Sequence, residues 1–149
     1  MKSCFFIGHR EASVQVLPWL EEAVEKHITQ YGVKEFVVGN YGEFDRLAAK
    51  AVIAAKKRHP EILLSMLIPY HPAQRAVVLP KGFDNTFYPP LETVPYKLAI
   101  VRANHYMVEH VDYLIAYAWH PASNARNLLE YAQRREKKNL ISVTVLPRC

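Results

Sequence analysis

The chain has 149 residues, 50% hydrophobic and 22% charged, with 19 Lys and Arg against 14 Asp and Glu for a net charge of +5. This is the size of one domain, 1–149, and the apolar share excludes intrinsic disorder. No run of about 18 apolar residues exists to span a membrane, and the mild basic excess favours an anionic ligand without specifying one.

In chain order, the first predicted strand is 4–7, and Cys4 reads as a small core residue within it. Nothing ahead of it has the basic-then-apolar form of a signal peptide, so the expected location is the cytoplasm. Cys4 and Cys149 stand at opposite ends, with neither metal-ligand spacing nor a disulfide framework. Leu17, Leu20, Val24, Ile28 and Tyr31 then step by three or four, which draws a helix that Gly32 is placed to end. Strand 35–38 follows. Phe44, Leu47, Ala48, Ala51, Val52 and Ala55 predict the second helix, stopped at His59-Pro60. The third predicted strand is 62–68.

Residues 69–95 break the alternation. Six of the ten prolines lie here, with Tyr70, Phe83, Phe87 and Tyr88. A connection this long reads either as a loop packed down by its own aromatics or as a flap over a ligand.

Beyond it, 96–110 predicts a helix with two stripes, one of Leu98, Val101, His105 and Val108, the other of Ile100, Asn104, Met107 and Val111. Strand 113–119, a helix carrying Ala125, Leu128, Leu129 and Ala132, and strand 141–146 complete the chain. Arg134, Arg135, Lys137 and Lys138 suit that last helix's negative C-terminal end. The strands are continuous apolar runs, as in a parallel sheet covered on both faces. Alternating strands and helices predict a three-layer α/β sandwich with a mainly parallel sheet of about five strands.

In such sheets ligands bind beyond the carboxyl ends of the strands. The first end reads Gly8-His9-Arg10-Glu11. Arg10 suits a phosphate or carboxylate, or pairs with Glu11 or Asp45. At the second end Gly39 and Gly42 bracket Asn40 and Tyr41, and Asp45 falls in the first helical turn. Close backbone approach by a phosphate or sugar would use these glycines, and Asp45 reads as a ribose-hydroxyl acceptor, a base, or a plain helix-start acid. The spacing is neither a Walker loop nor a dinucleotide fingerprint. The third end is Pro69-Tyr70-His71. The fourth, 119–127, starts a helix with Ser123 or Asn124 as N-cap, and reads as a phosphate cradle made by Ser123, Asn124, Ala125 and Arg126 or as a simple capped turn. Arg102 and Asn104 are polar residues on the two-striped helix that either point at a site or face solvent. His9, His71 and His120 all sit at strand ends without local metal spacing, so no metal is expected. No serine or cysteine carries a nucleophile signature.

Taken together, Gly-His-Arg after the first strand, Gly-x-x-Gly-x-Phe-Asp after the second, and Arg-x-Asn-x-x-Met-Val ahead of an Asp-initiated strand resemble the SLOG superfamily. This Rossmann-like group includes the LOG (Lonely Guy) phosphoribohydrolases and the DNA-processing protein DprA, and the likeness is to its small bacterial branch. It spans nearly the whole chain. The resemblance implies a Rossmann-like fold, a nucleotide-derived ligand such as ADP-ribose, NAD or AMP over the strand ends, and a homodimer. Gly39, Gly42 and Asp45 match the family's Gly-rich turn, and Met107 and Asp112 its Met and Asp. Arg102 lies one residue upstream of the LOG catalytic arginine. Where LOG enzymes carry Pro-Gly-Gly-x-Gly-Thr and a glutamate, this chain has Pro121-Ala122-Ser123-Asn124-Ala125-Arg126, with Glu130 one position late. The first expectation is therefore binding or sensing of a nucleotide-like small molecule at Gly8, His9, Arg10, 39–45 and 123–126, with Tyr70 or Tyr88 stacking on the base. The second is N-glycosidic cleavage using Asp45, Arg102 and Glu130, with Glu43 as a further acid. The third, by analogy with DprA, is single-stranded nucleic-acid binding, which the evenly spread charge disfavours.

Overall fold

The computed structural model describes residues 1–70, 77–90 and 95–148. His71, Pro72 and Cys149 lie outside the described residues.

The fold is α/β. Strand β1 (Ser3–Gly8) leads through a short 3-10 turn, Val14–Val16, into helix α1 (Leu17–Thr29). Next come β2 (Glu35–Val38), α2 (Glu43–Lys56), β3 (Leu63–Leu67) and β4 (Asn85–Phe87). Helix α3 (Tyr96–His110), β5 (Tyr113–Tyr117), α4 (Asn124–Glu136) and β6 (Ser142–Val145) complete it. The six strands form one sheet in the order β4-β3-β2-β1-β5-β6, and every pairing is parallel.

The apolar runs are continuous because both faces of the sheet are covered. Cys4, Phe6, Phe36, Val38, Ile115 and Tyr117 join the core packed by α1 and α2, while Phe5, Ile7, Val37, Leu114 and Ala116 join that packed by α3 and α4. Neighbours alternate between the two cores, as strand geometry requires. Burial pushes the Cys4 thiol well above its ordinary pKa, which fits a packing role.

Two expectations are corrected. The sheet has six strands rather than about five, because 69–95 contains β4. This strand has three residues, two of them exposed, and lies at the sheet edge, so it lacks the apolar run of its neighbours. Asp84 fastens it: its backbone N–H donates to Leu64 O at 2.8 Å, and its carboxylate accepts from Leu64 N–H at 2.8 Å and from Lys56. The second correction concerns α3. Its buried side is Ala99, Ala103, Met107 and Val108, whereas Leu98 and Val101 are each 44% exposed. The inward side of α3 is thus made largely of small residues, while the larger Leu98 and Val101 stay partly in solvent.

The chain steps from β1 to β4 in one direction, then returns to place β5 on the other side of β1. The β1/β5 boundary is thus the topological switch point, where a crevice opens beyond the strand ends.

Candidate functional site

A cavity of about 350 Å³ occupies that crevice. This falls in the range of about 300–1,000 Å³ found for small-molecule sites. Its lining includes Gly8, His9 and Arg10 after β1, then Gly39, Tyr41, Gly42 and Asp45 after β2. Ser123, Asn124 and Ala125 line it from the start of α4, with Leu128 one turn further, and Ile100, Val101 and Asn104 from α3.

Two of the lining glycines are required by packing within the fold. A Cβ on Gly42 would lie 2.5 Å from the Arg10 Cα and 2.8 Å from its carbonyl oxygen. A Cβ on Gly8 would lie 2.2 Å from Cγ of Phe44. Both are places where the end of β1 and the residues just after it press against the start of α2 and its N-cap. The Glu43 N–H donates to Arg10 O at 2.7 Å and closes the same junction. The Arg10 backbone is fixed, while its exposed guanidinium forms no ion pair among the described residues, with Glu11 and Asp45 included.

Asp45 stands in the first turn of α2, where its Oδ2 accepts the Tyr41 N–H at 3.0 Å. Burial pushes its carboxyl up from 3.8 to about 6, against the lowering effect of that hydrogen bond. A carboxyl whose pKa is raised in the fold favours folding below its ordinary value, and that advantage is lost as pH rises through about 6. At pH 7 the ionised group therefore opposes folding. Asp45→Asn is expected to raise the melting temperature at pH 7 and to leave it unchanged or lower near pH 4. Thermal melts of both proteins across this interval check the sign.

Rings hold the neighbouring His9. Its centroid lies 5.1 Å from that of Trp119 and 5.7 Å from that of Tyr117, and Nε2 accepts the backbone N–H of His120 at 3.2 Å. Burial, then the charge of His120, lowers its pKa and favours the neutral ring, which an accepting Nε2 also requires. His120 stands 6.3 Å from His9 between ring centroids. Among the described residues no three His, Cys, Asp or Glu side chains gather as a metal site.

At α4, Ser123 is the N-cap. Its hydroxyl accepts the Arg126 N–H at 3.1 Å and donates to His120 O at 2.8 Å. With the hydroxyl engaged, what the helix offers the cavity is the backbone N–H groups of Asn124 and Ala125 in its first turn.

Six of the expected site residues do not line the cavity. Arg126 turns back, its Nη1 donating to Ala118 O at 3.3 Å and its Nε lying 3.7 Å from Glu130. Glu130 is exposed in that pair and is absent from the lining. Arg102 is exposed on α3: two residues from Asn104 is about 200° around a helix, so the two do not share a face. Tyr70, beyond β3, and Tyr88 are also absent from the lining. Of the three acids considered for chemistry, Asp45 alone lines the cavity, while Glu43 pairs with Arg46. The apolar wall of Ile100, Val101 and Leu128 was missed, although the spacing of Ile100 and Val101 to Asn104 held the signal.

No helix among the described residues is long and apolar enough to cross a membrane. Comparison with models of known protein families and with curated proteins returns no match.

Proposed function

We propose that the crevice binds a nucleotide-derived small molecule of the ADP-ribose, NAD or nucleoside phosphate type. The supporting observation is the joining of three strand-end segments in one cavity at the switch point, where an arginine with no ion pair among the described residues and a helix N-terminus share the lining with a carboxylate. The Arg10 guanidinium and the Asn124 and Ala125 N–H groups suit phosphate oxygens. The Asp45 carboxylate suits a sugar hydroxyl. On the same reading the chain is a divergent SLOG protein, with its Gly-rich turn at the β2 end and Met107 and Asp112 just ahead of β5. Pairing of two copies belongs to this proposal, and sedimentation would then give twice the chain mass.

A thermal-shift titration with AMP, ADP, ATP, NAD and ADP-ribose tests the binding. A ligand at 100 times its dissociation constant adds about 2.7 kcal/mol of stability. No shift with any of the five would count against the proposal. A second reading, N-glycosidic cleavage, is favoured by the Asp45 carboxyl near 6 within the cavity, a value suited to proton transfer near neutral pH. Chromatography of the stabilised samples separates the two: free base points to cleavage, intact ligand to a sensor or carrier.

A further inference from the structure

We infer that Asn104 is the residue that selects the heterocycle of the bound nucleotide, an inference that rests on the nucleotide reading above. Asn104 follows Ile100 by four residues and Val101 by three, so the three share a face of α3, and all three line the cavity. The opposing helix supplies Leu128. Val101 is an apolar side chain left 44% exposed at this wall. Such a surface suits the face of a flat ring better than it suits a sugar or a phosphate, whose polar atoms it cannot satisfy. The polar groups suited to phosphate and ribose, Arg10 and Asp45, come instead from the β1 and β2 ends.

Among the described residues that line the cavity from α3, Asn104 is the one with a polar side chain. Its amide has no hydrogen bond to the described residues, whereas the hydroxyl of Ser123 and one oxygen of Asp45 are engaged. An amide presents a donor and an acceptor side by side in one plane. That pattern complements a base edge carrying an adjacent acceptor and donor, as on adenine.

The test is the ratio of AMP to GMP affinity, measured by calorimetry for the wild-type chain and for Asn104→Asp. A carboxylate accepts only. It repels the ring nitrogen acceptor of adenine, and it takes both the N1–H and the 2-amino donors of guanine. Its added charge acts on the two phosphates alike and cancels in the ratio. The ratio is expected to move toward GMP by about tenfold or more, the scale of one bidentate base contact. Should the aspartate variant fail to fold, Asn104→Leu is expected to lower AMP affinity about tenfold and to leave ribose 5-phosphate binding unchanged. An unchanged ratio, or equal losses for AMP and ribose 5-phosphate, overturns the inference and leaves the nucleotide reading standing. Failure of the wild-type protein to bind AMP and GMP overturns the inference, and failure with all five ligands of the titration above overturns both.

Discussion

Gly8→Ala is expected to lower stability by about 3 kcal/mol, the upper end of the usual cost of overpacking a close-packed core. The added methyl would lie 2.2 Å and 2.3 Å from two ring carbons of Phe44 and 2.8 Å from its Cβ. A flexible side chain would swing aside. Phe44 is 1% exposed and stacks on Tyr117 at 5.9 Å, so its ring has nowhere to go. The backbone has no more freedom, since Gly8 pairs with Tyr117 in the β1/β5 ladder. Denaturant unfolding should show a lower midpoint with an unchanged slope. Adding Phe44→Leu should recover part of the loss, because the two sites are in direct contact. A Gly8→Ala midpoint equal to that of the wild type would contradict this packing.

The second large effect concerns affinity. Arg10→Ala is expected to weaken binding of a phosphate-bearing ligand about tenfold, while the melting temperature of the free protein stays as it was. A hydrogen bond to a charged partner contributes about 1.5–3 kcal/mol, and the exposure of Arg10 places it at the low end. The fold does not depend on this guanidinium, because what holds the loop is the Arg10 backbone against Gly42 and Glu43. Arg10→Lys should recover part of the affinity, since lysine keeps the charge and loses the planar fork. Added salt should narrow the gap between the wild type and Arg10→Ala. Equal affinity of all three proteins would remove Arg10 from the site.

The layered architecture was legible because burial on both faces leaves a plain mark. Runs such as 113–119 carry no polar alternation, and a parallel sheet between helices is the ordinary way to bury them. Strand β4 was not legible: Asn85 and Thr86 are exposed, and its place depends on Asp84 reaching Leu64 and Lys56 across the fold. The glycines were legible as special positions, but the packing that requires two of them was not. Nothing local says that Gly42 meets the backbone of Arg10, a contact made 32 residues away in the chain. The same holds for charged side chains. Arg126 and Glu130 are four apart, and on a helix that spacing serves an ion pair as readily as a site. Asp45 and Asn104 differ because both line the cavity and neither side chain forms an ion pair with a neighbour on its helix among the described residues.

The central claim is the location of the ligand, and a two-dimensional amide NMR titration with ADP-ribose tests it most directly. The expected result is a set of shifted or broadened amides confined to 8–10, 39–45, 100–104 and 123–125. Titrating peaks clustered elsewhere, or a spectrum unchanged at millimolar ligand, would contradict it.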